Sequence, residues 1–133
     1  MIDRKHIGLT MPAFSVPVEQ SRLRFFAKAT GGDPESRAVP PTYFFCLESE
    51  SPHSTVMRET LGLDYKRLLH GEQGFTYHAM AYAGDTLTFE QRIEDIYDKK
   101  NGALEFVVRK TRVTNQRQEL VAELRCVSVM RNG

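Results

Sequence analysis

The residues able to do chemistry in this chain are few. There are four histidines, His6, His53, His70 and His78, and two cysteines, Cys46 and Cys126. No two histidines stand at i, i+4, no HExxH occurs and the cysteines lie far apart, so the spacing predicts no metal site. Neither cysteine belongs to a CxxC pair. Cys46 lies in the apolar run Tyr43-Phe44-Phe45-Cys46-Leu47 and Cys126 on the apolar phase of an alternating segment, so both read as small buried hydrophobes. Asp33 stands between Gly32 and Pro34, the setting of a turn-forming aspartate. Gly31-Gly32 is a lone pair that reads as a helix stop and not as a phosphate loop. The basic group Arg109, Lys110 and Arg112 could hold phosphates, or could coat a solvated strand face.

These residues sit in a chain of 133 residues, room for a single domain spanning 1–133. Hydrophobic residues make up 41% and charged residues 26%, the balance of a globular protein. Eighteen basic against 17 acidic residues give a net charge of +1, without the basic excess of a nucleic-acid or polybasic membrane binder. No apolar run approaches the roughly 20 residues that span a bilayer. The charged start Met1-Ile2-Asp3-Arg4-Lys5-His6 is followed by no apolar signal core, which leads to the expectation of a cytoplasmic protein.

The periodicity changes midway. Phe14-Ser15-Val16-Pro17 reads as a short extended segment, and Val18 to Thr30 as an amphipathic helix that Gly31-Gly32 ends. Asp33 to Val39 reads as a polar loop. Pro40-Pro41-Thr42 then opens a second helix, Tyr43 to about Leu47, apolar on nearly all sides and therefore expected to be buried. Ser49 to Leu69 reads as irregular, with a helical turn at Tyr65 to Leu69. From His70 the period is two. Gly84-Asp85 marks a turn, a bulge is expected before Ile96-Tyr97, and Asn101-Gly102 is a strong hairpin signal. In the next strand Leu104, Phe106 and Val108 read as the apolar face, and Arg109, Glu123 and Arg125 as part of a mixed, charged one. Sequential strands joined by short turns predict an antiparallel meander. A curved antiparallel sheet wrapped around one greasy helix is an α+β hot-dog fold.

Three groups of residues, in this order, resemble the MaoC-like dehydratases, and in particular their N-terminal or half-domain branch. Phe26-Ala27-Lys28-Ala29-Thr30-Gly31-Gly32-Asp33-Pro34 is similar to that family's Ala-x-x-Thr-Gly-Asp-x-Asn-Pro helix end. Val39-Pro40-Pro41-Thr42-Tyr43-Phe44 resembles the entry to its central helix. The third group combines Leu69-His70-Gly71-Glu72-Gln73 with Ala83-Gly84-Asp85-Thr86-Leu87 and Val113-Thr114-Asn115. The likeness runs from about Gly8 to Arg131. It implies addition or removal of water across the α,β double bond of an acyl thioester, with CoA or acyl carrier protein as the substrate's carrier and no other cofactor.

Catalytic members of that family use an Asp and a His in Asp-x-Asn-Pro-x-His. Here Asp33 matches the Asp, and Pro34-Glu35-Ser36-Arg37-Ala38 follows with no histidine. The resemblance makes Asp33 and His70 the candidate catalytic residues, and Thr42, Tyr43 and Phe44 the candidate substrate-binding residues. Backbone N–H groups of Thr42 and Tyr43 are the candidates for holding a developing enolate oxygen. The missing histidine implies a half-enzyme, paired with itself or with a catalytic MaoC-like hot-dog subunit that supplies the Asp–His pair. The alternatives are a self-sufficient hydratase in which His70 or Glu72 replaces the lost histidine, a thioesterase using Glu48 at the end of the central helix, and a non-catalytic acyl-CoA-binding module.

Overall fold

The computed structural model describes residues 1–133. Five strands, β1 (Phe14–Pro17), β2 (Leu68–Tyr77), β3 (Thr86–Lys99), β4 (Leu104–Thr114) and β5 (Leu120–Arg131), form one sheet in the order β1-β3-β4-β5-β2. Every pairing is antiparallel. Only β3-β4-β5 is a meander. The expected sequential order fails at β2, because β1 already occupies the free edge of β3, pairing Phe14 with Phe89 and Val16 with Leu87. The chain therefore takes β2 to the far side of β5 and leaves its outer edge open.

The turn chemistry matches the sequence. Asn101 (φ 54°) and Gly102 (φ 85°) are both left-handed, and Ala103 N–H closes onto the Lys100 carbonyl at 3.1 Å, the hairpin geometry whose twist suits the flanking strands. The expected bulge in β3 falls between Ile93 and Asp95.

Helix α1 spans Gln20–Thr30, beginning two residues after Val18, and Gly31 ends it at φ 80°. Helix α2 spans Tyr43–Glu48 and lies on the concave face of the sheet with Tyr43, Phe44, Leu47 and Glu48 buried. Phe45 is 38% exposed, so the run is not covered on all sides within one chain. The stretch after α2 is more ordered than its composition suggests. It holds helix α3, Val56–Leu61, and a single 3-10 turn at Tyr65–Arg67, after which β2 starts at Leu68 and not at His70. The α3 sequence has only six residues and no side-chain cap, too little pattern to be seen without its packing partners.

The face assignment in β4 is the reverse of the sequence reading. Glu105, Val107, Thr111 and Val113 are buried, and Arg109 lies on their side of the sheet, toward α2. Alternation could not decide this, because β4 carries apolar residues in both phases, and both Val107 and Val108 are buried.

The concave face holds two separate apolar clusters. One joins α1, α2 and the β1 end of the sheet through Leu23, Phe44, Leu47, Leu87, Phe89 and Val113. The other joins α3 to the far ends of the strands through Leu61, Leu63, Ile93, Ile96, Val107 and Met130. A row of polar residues separates them. No helix is long and apolar enough to cross a membrane.

Candidate functional site

Two cavities flank α2. The first, about 460 Å³, opens at its N-terminal end and is lined mainly by small and apolar side chains, including Ala27, Pro40, Phe44, Tyr77 and Met80, with Asp33 at its rim. Asp33 is held as the sequence context suggests. Its carboxylate accepts from the Glu35 N–H at 2.9 Å and its carbonyl from the Ser36 N–H at 3.1 Å. The same cavity contains no histidine. Thr42 precedes α2 without a side-chain capping bond. Tyr43 is in the core, its ring 4.9 Å from that of Phe26, and its N–H is committed to the Pro40 carbonyl at 3.0 Å. Of the two N–H groups expected to be free, only that of Thr42 lacks a backbone acceptor. Burial raises the Tyr43 phenol above its ordinary value, so it stays protonated through neutral pH.

The second cavity, about 520 Å³, lies at the C-terminal end of α2 and contains His70. His70 and Asp33 thus line different cavities and are not brought together. The positioning of His70 rests on a bulge. Register shifts between His70 and Glu72, which turns both His70 and Gln73 toward the concave face. Gly71 makes this possible, since a Cβ there would meet Val129 Cγ2 at 2.6 Å and the Val127 carbonyl oxygen at 3.1 Å. His70 Nε2 lies 3.6 Å from Cys126 Sγ, and its ring centroid 5.5 Å from that of Phe45. Burial pushes the Cys126 thiol up despite the nearby Arg109, so it is a thiol and not a ready nucleophile. Glu72 points to the opposite face and pairs with Arg125 at 2.7 Å. His70 and Glu72 therefore do not form a replacement acid–base pair.

Sequence reasoning missed what lies at the floor of this second cavity. Glu48, 4% exposed, accepts from Gln91 Nε2 at 3.0 Å, from Arg109 Nη2 at 2.9 Å and from the Thr111 hydroxyl. With Oε1 held by the Arg109 guanidinium and Oε2 by Gln91 and Thr111, this carboxylate is tied into the sheet and not presented to a thioester, which weighs against the thioesterase alternative. The only signal in the sequence was Thr and Arg on the buried phase of β4, and the reversed face assignment hid it. Gly84-Asp85 is structural. Gly84 has φ 96°, and the Asp85 carboxylate accepts from the Tyr82 N–H and the Gln116 amide, each at 2.9 Å. Burial alone would raise the Asp85 carboxyl, but those two bonds and Arg117 outweigh it and hold its pKa below the ordinary value. His78, just beyond β2, pairs with Glu123 at 3.0 Å on the exposed face.

A concave antiparallel sheet around a short buried helix, with an apolar cavity at the helix entry, defines the hot-dog class of the MaoC-like dehydratases. The chain belongs to the family described as "FAS1-like, dehydratase domain region", whose profile matches residues 5–124. It is similar to a UPF0336 protein of Streptomyces avermitilis, 33% identical over 110 residues covering 71% of this chain and 73% of that one. A UPF0336 protein of Saccharopolyspora erythraea is 28% identical over 145 residues, covering 98% and 92%. Among solved structures, the HadBC (3R-hydroxyacyl-ACP dehydratase) complex of Mycobacterium tuberculosis matches with a TM-score of 0.76 at 21% identity, covering 93% of this chain and 96% of that one. A MaoC-like dehydratase matches at 0.77 and 18% identity, covering 94% and 42%. These structural likenesses establish the fold.

Proposed function

We propose that this chain is one hot-dog subunit of an acyl-thioester hydratase or dehydratase, an (R)-specific enoyl-CoA hydratase or a 3-hydroxyacyl-CoA or -ACP dehydratase. It supplies an acyl-binding half, and a partner hot-dog subunit supplies the Asp–His pair. The observation that carries the reading is the cavity at the entry of α2, which is apolar and of acyl size yet holds Asp33 in a turn with no histidine beside it. Hydration needs a base to draw a proton from water as its oxygen bonds the β-carbon, and an acid to protonate the α-carbon. Asp33 alone cannot do both. The open edge of β2, with Leu69 50% and Tyr77 46% exposed, supports a partner, because an uncovered strand edge invites pairing with another sheet. Structural neighbours that are complexes of two hot-dog chains, HadBC and ChsH1–ChsH2 of Mycobacterium tuberculosis, support the same arrangement.

The test is hydration of crotonyl-CoA followed by loss of enoyl absorbance. The chain alone should show little turnover, and addition of a hot-dog partner bearing Asp-x-Asn-Pro-x-His should restore it. Strong activity of the chain alone that Asp33→Asn abolishes would replace this reading with a self-sufficient enzyme.

A further inference from the structure

The first cavity has a direction. Helix α1 lines it with Leu23, Ala27 and Thr30, which stand at i, i+4 and i+7 and so share one face of the helix. Burial deepens along that face. Thr30, the last residue of α1, is exposed, Ala27 is 5% exposed and Leu23 is 1% exposed. The other lining residues divide in the same way. Gly32, Asp33 and Met80 are exposed, and Val39, Phe44 and Ala81 are buried. The cavity therefore opens beside the Gly32-Asp33 turn and runs inward along α1 toward Leu23.

Leu23 closes it. Its side chain belongs to the apolar cluster that includes Val16, Val18 and Leu87, so packed core lies behind it. The α1 wall offers nothing to a polar tail. Leu23 and Ala27 are hydrocarbon, and the Thr30 hydroxyl already donates to the Phe26 carbonyl at 2.8 Å. A charged or hydroxylated tail carried down to Leu23 would lose its water and gain no hydrogen bond.

The spacing also gives a depth. Thr30 lies seven residues beyond Leu23 in α1, which at a rise of about 1.5 Å per residue is about 10 Å. A carbon–carbon bond of about 1.5 Å advances an extended hydrocarbon by about 1.3 Å, so about eight carbons span that length.

We propose that this face of α1 is a ruler, and that the acyl group the chain takes has an unsubstituted hydrocarbon tail about eight carbons long. The thioester stays at the mouth beside Asp33, and the last carbons meet Leu23. This rests on the acyl-thioester reading above and names its substrate class. Leu23 sets the length. Ala27, one helical turn or about 6 Å nearer the mouth, keeps the way to Leu23 open, because its side chain is a single methyl.

The test measures binding of saturated thioesters from butyryl-CoA to dodecanoyl-CoA to the full chain by calorimetry, with free CoA as the reference. Affinity should rise about four-fold with each added carbon, the yield of burying one methylene, up to octanoyl-CoA and stay level beyond it. Leu23→Ala should carry the break about two carbons further, and Ala27→Leu should bring it back to about four carbons. The two shifts are opposite in sign. Thermal midpoints are measured alongside, so a variant that fails to fold leaves the other to decide. Thioesters that bind more tightly than free CoA but equally at every length, a rise that continues unbroken to dodecanoyl-CoA, or a break that neither variant moves would overturn this inference alone. If no thioester binds more tightly than free CoA, the acyl-thioester reading falls and this inference with it.

Discussion

Glu48 is 4% exposed and the Arg109 side chain 20%, so replacing Arg109 by Met leaves a buried carboxylate without its counter-charge. Breaking one side of a buried pair costs about 3–5 kcal/mol. Gln91 and Thr111 would still donate to Glu48, which places Arg109→Met at the low end, about 3 kcal/mol. For a chain of this length that is a fall in thermal midpoint of roughly 10 °C. Glu48→Leu alone should cost less, about 2 kcal/mol, because the freed guanidinium has a path to water through the cavity. Removing both charges together as Glu48→Leu/Arg109→Met should recover at least half of the summed loss, since Gln91 and Thr111 are cross-strand partners and can bond each other. Urea unfolding of the wild type, both single variants and the double variant closes the cycle. A double variant whose loss equals the sum of the singles, or an Arg109→Met within about 0.5 kcal/mol of wild type, would refute the view that the two charges hold one another in the sheet.

Three further outcomes are expected. Asp85→Asn should destabilise by about 1–2 kcal/mol at pH 7 through weakened bonds from Tyr82 and Gln116. Because the folded Asp85 pKa is lowered, its contribution is full above the unfolded value near 3.8 and disappears as pH falls through the folded value, so the variant's stability should fall less between pH 7 and pH 2 than the wild type's. Gly71→Ala should cost about 1–3 kcal/mol and disturb the register of β2 against β5, read as lost amide-exchange protection in both strands, because its Cβ would lie 2.6 Å from Val129 Cγ2. Phe89→Ala, at a fully buried ring stacked 5.2 Å from Phe14, should cost about 3–5 kcal/mol in chemical denaturation; a loss below about 1 kcal/mol would mean that β1 does not hold its edge as described.

Much of the scaffold was legible in the residues. Gly31 after a periodic helix, Asn101-Gly102 between alternating runs and the apolar stretch from Tyr43 are local signals, and each formed the element its local physics favours. The absence of a histidine after Asp33-Pro34 is equally a property of the sequence alone. Helix α3 was not legible, because six residues without a cap hold a helix only when packed, as Leu61 is in the second apolar cluster. Nor was the position of β2, which depends on which strand edge is free, a non-local fact. The floor of the second cavity was the hardest to see. Glu48, Gln91, Arg109 and Thr111 come from α2, β3 and β4, and a strand with apolar residues in both phases gives no sign of which face turns inward. That choice follows from how the whole sheet curls around α2, so only the tertiary structure could place a paired charge where the alternation suggested a solvated surface.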